Sequence, residues 1–328
     1  MGWWQIDADT LARGRFVISP LAETIAALKT LHHAAAAHPG ERTWLDTHLP
    51  AYRRRLAADP VTALLIHAAL GPTWNATFLT PTPDGDSTFD DGSAFDQELA
   101  RVRATAPDAA RTDLGPSLRG PLPAALDRDD LPERAANLLH WVWTSTVHPT
   151  WPHRRRVIEA DIVARTVHLG HGGWSAALGD LRPGMRWLGG DRLQITTRDH
   201  PPRHLTGDQL VFVPVTPHRT WLAWDDAHRR SAVVYPCSAT LTTARQSPAA
   251  ASLAALLGPV RAAVLTLLDA PKSTTQLVAL TGYGLGSVGR HLKVLLDAHL
   301  VERRRAGRSV LYYRTVPGDA LVQAQEHS

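Results

Sequence analysis

The chain has 328 residues, enough for about two domains of ordinary size, and its 44% hydrophobic and 20% charged residues are normal for a globular protein with a full core. Its single cysteine, Cys237, excludes an intrachain disulfide and a cysteine-rich metal site. The opening MGWWQIDADT is not a signal peptide, and no apolar run approaches the ~18 residues that span a bilayer. The sequence therefore predicts a cytoplasmic protein with no membrane contact.

The net positive charge is confined to the C-terminal part of the chain. Residues 1–247 carry 26 basic and 26 acidic side chains, whereas residues 248–328 carry nine basic and five acidic ones and account for the whole net charge of +4. A neutral body joined to a small basic module indicates that the module binds a polyanion. Because uneven surface charge is common, this indication needs a structural motif beside it.

The first third of the chain is predicted to be mostly helical after a short extended start. In ISPLAETIAALKTLHH, Ser19 can cap a helix and Pro20 fits its first position. A second helix is predicted over residues 41–56, with Pro50 bending or dividing it. Residues 79–93 have the composition of a loop.

A pair of helices and a run of short strands complete the large N-terminal part. LPERAANLLHWVWTSTV and WPHRRRVIEADIVARTVHLG are predicted helices, and Arg155, Glu159 and Arg165 of the second are expected to face water. MRWLGGDRLQITT, QLVFVPV, RTWLAW and SAVVYP are rich in β-branched and aromatic residues, which favours strands. These patterns predict an α+β fold, in which residues 1–245 form a mostly helical effector or dimerisation domain closed by a small antiparallel sheet. Residues 243–252, TARQSPAAAS, are the predicted linker.

Residues 250–316 carry the signals of a winged helix-turn-helix. Pro259 begins a first helix, and Ser273 with Gln276 forms a capping box for a second helix, TTQLVALT. After a glycine-containing turn comes a third helix, whose apolar stripe is Val288, Leu292, Leu295 and Leu296. The alternating runs VERRR and SVLYYR flank residues 306–308 and predict a hairpin. Residues 317–328 are predicted to be a flexible tail.

The same stretch contains a G-x-G-x-x-G pattern at Gly284, Gly286 and Gly289, with Glu302 eighteen residues after the first glycine. Such a pattern is typical of the phosphate cradle of a dinucleotide-binding fold. We reject that interpretation because the capping box predicts a helix where the fold needs a strand, and only 26 residues follow Glu302. The glycines are assigned to the turn and to the DNA-facing side of the third helix.

The third helix and the hairpin supply the predicted contacts to DNA. Early residues of the third helix of a helix-turn-helix meet base edges, so Ser287 and Arg290 are the expected readers of bases. The hairpin arginines are expected to meet phosphates or the minor groove. The predicted DNA-binding residues are Thr274, Thr275, Ser287, Arg290, His291, Lys293, Arg303, Arg304, Arg305 and Arg308. The alternative is an ordinary solvated basic hairpin.

These residues carry a resemblance to a known family. LGPVRAAVLTLL, followed by SVGRHLKVLLDAHLVERRRAGRSVLYYR, resembles the winged-helix domain of the arsenic-repressor (ArsR) family of bacterial regulators over roughly residues 250–315. RFVISPLAETIAAL, FLTPTP, ELARVRATAP, WPHRRRVIEADIVAR and VVYP resemble an N-terminal domain of unknown function found on actinobacterial members. The resemblance implies a homodimer that binds a palindromic operator in double-stranded DNA and usually represses transcription.

The chain departs from that family in two respects. Several members sense metals through cysteine pairs or through Asp and His ligands on a terminal helix, but this module has no cysteine and its end, VPGDALVQAQEHS, lacks paired histidines. The polar residues that usually open the recognition helix are replaced by Leu285, Gly286 and Gly289. Base reading is therefore expected to depend on Ser287, Arg290 and DNA shape.

The large N-terminal part shows no catalytic pattern, since G-x-S-x-G and H-E-x-x-H are absent. We predict no catalytic residue, no metal ligand and no cofactor. His168 and His171 have i, i+3 spacing, but dispersed histidines in a chain with 17 of them are usually surface or core residues.

Tryptophan is unusually frequent, with eleven in the chain against five Phe and five Tyr. Aromatic rings together with His and Arg are typical of a pocket for a flat organic ligand. The residues that we predict to bind such a ligand, because they cluster near a helix junction, are Trp141, Trp143, His148 and Trp151. The alternative is that the tryptophans fill the core.

Taken together, the patterns predict a dimeric, non-enzymatic DNA-binding transcription regulator, a repressor released by a small apolar or aromatic effector. One alternative is a regulator without an effector, whose N-terminal domain serves dimerisation or protein contacts; a tightly packed first domain favours it. The other is an enzyme with a regulatory winged helix, which a pocket with converging titratable groups favours.

Overall fold

A computed structural model describes residues 2–71, 74–84, 91–118, 120–178, 181–197, 201–237, 248–268, 271–281, 283–306 and 309–323. The chain folds into two compact units, one of residues 1–152 and 177–240 and the other of residues 153–176 and 241–328. Within the described ranges, no helix is both long enough and apolar enough to cross a bilayer.

Helices build the first part of the first unit. They are α1 (Ala8–Ala12), α2 (Pro20–His33), α3 (Pro39–Ala58), α4 (Pro60–Ala69), α5 (Asp91–Arg103), α6 (Pro107–Leu118) and α7 (Leu131–Val142). A single 3-10 turn, Ala124–Leu126, precedes α7; a π-helical turn, Trp143–Val147, and a 3-10 turn, His148–Thr150, lead from α7 into α8 (Trp151–Leu178). Residues 153–176 of α8 belong to the second unit. The predicted start of α2 is confirmed, since Ser19 Oγ accepts the Ala22 N–H at 2.9 Å and Pro20 occupies the first turn.

Of the two predicted effects of Pro50, a bend or a division of the second long helix, the division is wrong. Pro50 lies inside α3, and the helix continues for two further turns. A proline removes one intrahelical hydrogen bond and crowds the preceding turn, which bends or breaks a helix only when neighbouring bonds cannot hold it. The predicted loop over residues 79–93 is also too long, because α5 begins at Asp91.

Eight strands of the first unit form two four-stranded sheets. The strands are β1 (Gly2–Ile6), β2 (Arg15–Phe16), β3 (Arg186–Gly189), β4 (Arg192–Thr196), β5 (Arg203–Leu205), β6 (Gln209–Val215), β7 (Trp221–Asp225) and β8 (Arg230–Pro236). Their orders are β3-β4-β1-β5 and β2-β6-β8-β7. The expected single antiparallel sheet is wrong, because β1 pairs in parallel with β5, and β6 pairs in parallel with both β2 and β8. The reason is that β8 forms a hairpin with β7 but inserts between β7 and β6.

Helix α2 lies at the centre of the first unit. Every residue from Pro20 to Leu31 is buried, and the helix packs against α3, α5, α7 and β6. Buried carboxylates anchor its N-terminal turns: Glu23 accepts hydrogen bonds from the backbone N–H and the hydroxyl of Thr216, and Glu98 accepts the Leu21 N–H at 2.9 Å. These two buried carboxylates are thus paired, as burial of a charged or polar group normally requires.

Helix α8 differs from its prediction at one charged position. Arg155 Nε lies 2.8 Å from Glu159 Oε1, and both side chains are about 40% exposed, as expected for a surface pair. Arg165, expected to face water, is instead buried. Its Nε lies 3.7 Å from Asp161 Oδ2, a carboxylate one turn earlier that compensates the charge.

The second unit contains the predicted basic module. Its further elements are α9 (Pro248–Leu257), α10 (Pro259–Leu267), β9 (Lys272–Ser273), α11 (Thr274–Thr281), α12 (Leu285–Asp297), β10 (Val301–Ala306), β11 (Ser309–Arg314) and α13 (Val316–Gln323). The three strands form an antiparallel sheet in the order β10-β11-β9. The three helices and the hairpin lie where the sequence predicts them.

Two segments outside the predicted module have more structure than expected. Residues 248–252 of the predicted linker begin α9, and its Leu253 is buried in the core of the second unit. Residues 317–323 of the predicted flexible tail lie in α13, whose Leu321 and Val322 pack on the same core. Both predictions are wrong for these residues, because apolar side chains on the two short helices pack against the core and so hold the helices in place. Residues 243–247 and 324–328 lie outside the described chain.

A compact turn joins α12 to the hairpin. His299 adopts a left-handed conformation (φ 58°), and two closing bonds run from His299 N to Leu296 O and from Leu300 N to Leu295 O, each 2.9 Å. This is a Schellman ending, in which glycine usually takes the left-handed position. Thr315 holds the turn from outside, since its hydroxyl donates to His299 O at 2.6 Å and its N–H to Leu300 O at 3.1 Å.

Candidate nucleic-acid interface

The capping box that begins α11 is present in the structure. Ser273 N–H donates to Gln276 Oε1 at 2.7 Å, and Gln276 N–H donates to Ser273 Oγ at 3.3 Å. This reciprocal pair satisfies two backbone donors that the first turn of a helix leaves without partners. It fixes a helix at residues 274–281, which excludes the strand that a dinucleotide-binding fold would need at this place.

Helix α12 divides cleanly into a core face and a solvent face. Val288, Leu292 and Leu295 are at most 1% exposed, as the predicted stripe requires, and Leu296 is half-buried. On the opposite face the exposed residues are Gly286, Arg290, Lys293, Val294 and Asp297. Since the apolar face is fully used in the core, the solvent face is available for a partner.

Arg290 occupies the middle of that solvent face. Its Nε donates to Gly286 O at 3.3 Å, so the side chain lies back along the helix towards its N-terminus. An exposed guanidinium on the first two turns of such a helix has the fork geometry that pairs with guanine in the major groove.

The other residues predicted on the helices are placed less favourably for base contacts. Ser287, His291 and Thr274 are half-buried, whereas Lys293 is exposed. The structure therefore brings Arg290 and Lys293 together on one exposed face, and puts Ser287 and His291 at its border with the core. Thr275 lies in α11, but its side chain is outside what the structure describes.

The arginines of the hairpin divide between two faces of its sheet. Arg303 pairs with Tyr312, and Arg304 with Leu311, across the ladder. Side chains alternate along a strand, so Arg303 and Arg305 share one face and Arg304 lies on the other. All three are exposed.

Arg304 is already held by neighbours on its own face. Its Nη2 lies 2.7 Å from Glu302 Oε1, and its guanidinium carbon lies 5.4 Å from the centre of the Tyr313 ring. This orients the side chain but partly neutralises its charge, so Arg303 is the better candidate for a phosphate. The predicted contact at Arg308 falls outside the described residues.

Sequence reasoning missed two large apolar side chains at the entrance to α12. Leu285 is 63% exposed and Tyr283 is 42% exposed, although apolar residues of this size are usually covered. A β-carbon added at Gly284, Gly286 or Gly289 would meet nothing within 4 Å, so no packing within the described structure requires these glycines. The signal for these exposed side chains is the sequence GYGLGSVG, in which small glycines flank Tyr283 and Leu285.

Comparison with known proteins agrees with this geometry. A family model described as a helix-turn-helix domain matches residues 256–304, from the end of α9 into β10. This supports a helix-turn-helix DNA-binding domain here. No curated protein and no solved structure matches the chain significantly. The match includes Arg290, Lys293 and Arg303 but none of the large first unit.

In the first unit, three of the four residues predicted to bind a ligand come together. The ring of Trp143 stacks on Phe95 at 4.5 Å and meets Trp151 edge-on at 5.4 Å, with His148 tilted against it at 5.3 Å. Trp143 and Trp151 are buried, whereas His148 is exposed. This is the environment of core tryptophans, and the pocket at these rings stays a prediction.

Trp141 lies apart from that cluster. Its ring is covered by the Arg55 guanidinium, 5.3 Å away, and Arg55 lines a cleft of about 660 Å³ between α3, α4 and α7. The cleft contains Arg134, which is bound by Asp59 at 2.9 Å and by Asp130 at 2.8 Å. The Arg128 guanidinium, more strongly than that of Arg134, lowers the pKa of Asp130 to about 2, so paired charges line this cleft together with the apolar Leu56, Ala58 and Leu138.

Among the described residues, no three His, Cys, Asp or Glu side chains come together in a way that could hold a metal ion. His168 is exposed, and the His171 side chain is outside the described set.

Proposed function

We propose that the chain is a transcription regulator that binds double-stranded DNA through a winged helix-turn-helix at residues 250–316, similar to that of the ArsR family. The observation that carries this proposal is the solvent face of α12, which presents Arg290 and Lys293 within the helix-turn-helix match. The sheet that follows places Arg303 and Arg305 outside the core, as a wing would. Phosphate contacts from the wing would position the helix, and side chains of α12 would read bases.

The functional form is a homodimer on a palindromic operator. A single recognition helix covers only a few base pairs, which is too little for useful specificity, so two copies must act on half-sites about one helical turn apart. Full-length protein should be used to select sites from a random duplex library, followed by footprinting. Two half-sites protected together support the proposal, whereas one isolated half-site bound by a monomer contradicts the dimer.

The first unit, within the proposed domain of residues 1–245, acts as the sensor of a repressor that a small molecule releases from DNA. A ligand changes DNA affinity only if it prefers the DNA-free conformation, so the test is operator affinity measured with and without each member of a metabolite panel. A regulator without an effector is favoured if no compound changes that affinity or the thermal stability. We propose no enzymatic activity, and turnover of any panel compound would contradict this.

A further inference from the structure

A lysine is buried in the middle of the first unit without a carboxylate partner. Lys29, on α2, is 8% exposed, and its Nζ donates to Asn75 Oδ1 at 2.8 Å. Beside it lies the Trp221 ring, whose centre is 5.4 Å from Nζ. Among the described residues, no carboxylate forms an ion pair with this amine, although buried cations are normally paired.

A second cation in the same region has even fewer partners. The Nε and Nη1 atoms of Arg182 are shielded from solvent, and no protein group in the described structure accepts a hydrogen bond from either. Burial, and then the positive charges of Arg219 and Arg182, lower the pKa of Lys29 to about 8. The charge of Arg182 thus disfavours the protonated form of Lys29, and no carboxylate among the described residues forms an ion pair with either group.

The neighbouring carboxylate serves a different cation. Glu41 accepts the Thr30 hydroxyl at 3.3 Å, and Thr30 Oγ1 in turn accepts Arg219 Nε at 3.1 Å. Glu41 also accepts the backbone N–H groups of Ala37 and His218. Its charge is thus committed to Arg219 and to two loops, which leaves Lys29 and Arg182 uncompensated.

The histidines beside this region, whose side chains are either neutral or positive, do not balance the charges of Lys29 and Arg182 either. Burial and nearby cations lower the pKa of His32 to about 4, and the same causes lower the pKa of His33. Both rings are therefore neutral near pH 7. The region has excess positive charge, polar donors and no internal counter-ion in the described structure.

We propose that Lys29, Arg182 and Asn75 form a binding site for the carboxylate or phosphate group of a small organic anion. An oxyanion between the amine and the guanidinium would accept charge-assisted hydrogen bonds from both, and the Asn75 amide would contribute a neutral donor. Binding of the anion does not depend on the proposed function. Its role as the effector of DNA binding does rest on that proposal.

The test is thermal unfolding of the full-length protein during titration with inorganic phosphate or with benzoate, at constant ionic strength set by sodium chloride. We expect a saturable rise in Tm with at least one of the two anions, and the responding anion identifies the oxyanion class. Isothermal titration calorimetry should give the same dissociation constant. Absence of a saturable response to both anions overturns the proposal.

Two variants and a matched control separate binding from general charge effects. Arg182→Gln and Lys29→Met should each raise the Kd for the anion at least tenfold. Arg53→Gln removes an exposed arginine from α3 of the same unit and should leave the Kd unchanged. Equal weakening by Arg53→Gln and Arg182→Gln would refute a specific site.

The stability of Lys29→Met without any anion provides an independent readout. A site that holds an uncompensated charge for a ligand is strained, so this variant should have a higher Tm than the wild type in plain buffer. A lower Tm would show that the amine is a structural element, and that would count against the proposal. None of these measurements uses DNA, so their failure and a failure of operator binding can be told apart.

Discussion

The carbonyl oxygen of Leu300 lies where a β-carbon on Gly318 would have to be. Leu300 O already accepts the Thr315 N–H at 3.1 Å, so it cannot move without breaking the link between the α12 turn and α13. Gly318→Ala should therefore destabilise the second unit by about 3 kcal/mol. Urea unfolding followed by circular dichroism measures this; an unchanged midpoint would mean that α13 does not pack as described.

Two other glycines should behave in the opposite way. Gly286 and Gly289 lie inside α12 with open space around them, so alanine at either position should raise stability by about 0.5–1 kcal/mol through helix propensity. The same methyl groups stand on the proposed DNA-facing surface and should weaken operator binding. Greater stability with unchanged DNA affinity would show that this surface does not approach DNA closely.

Alanine substitutions at Arg290 and at Arg303 should weaken DNA binding in different ways. Arg290→Ala should cost ~1–3 kcal/mol on the selected operator and much less on scrambled DNA, because a base contact is lost. Arg303→Ala should weaken binding to both duplexes alike and lower the salt slope by roughly one, as expected for a phosphate contact. The measurement is fluorescence anisotropy across a salt series. Equal weakening of both duplexes by Arg290→Ala would make that residue a phosphate contact.

Leu285 provides a test of apolar base contact. Its exposed side chain at the first position of α12 is suited to the methyl group of thymine. Replacing single operator thymines by deoxyuracil should then weaken binding about fourfold at one position per half-site, the effect of about 0.8 kcal/mol for one buried carbon. Leu285→Ala should bind the thymine and uracil operators equally. A variant that still discriminates between them would place the thymine contact elsewhere.

Glu98 should make the first unit less stable as pH rises. Burial raises the pKa of this carboxyl to about 7, against hydrogen bonds from Ser19 and Leu21 that lower it. The folded state thus keeps a proton that the unfolded state releases from its ordinary value of 4.5, so the unfolding free energy falls between pH 4.5 and 7. The loss is about 3 kcal/mol above pH 7.

Glu98→Gln should remove that loss, so the unfolding free energy of this variant should no longer fall between pH 5 and pH 8. Urea midpoints at the two pH values give the comparison. The matched control is Asp96→Asn, which makes the same carboxylate-to-amide change at an exposed position of α5. If both variants keep the pH dependence of the wild type, the Glu98 carboxyl is not its source.

Sequence patterns succeeded where structure depends on neighbours along the chain. The Ser19 cap, the Ser273–Gln276 box and the α12 stripe are each set within one or two turns, and all three are confirmed. They failed where partners are distant. Nothing near β8 indicates that it inserts between β6 and β7, because alternation identifies a strand but not its neighbours.

In the candidate site, too, features that depend on neighbours along the chain could be predicted, whereas those that depend on distant partners could not. Arg290 could be predicted because helical periodicity fixes its face, and the structure places it there. The partners of Arg304 could be recognised only once the hairpin register set Glu302 and Tyr313 beside it. Lys29 drew no attention in the sequence, since its burial depends on Asn75 and Trp221, residues far away along the chain.

Helix α13 also determines how the DNA-binding part can be excised as a separate protein. A fragment cut at residues 250 and 316 would lose the first two residues of α9 and all of α13 except Val316, and would leave the core surface under Leu321 and Val322 open to water. Such a fragment would aggregate or bind hydrophobic dyes, whatever its affinity for DNA. Expression boundaries should instead enclose residues 248–323.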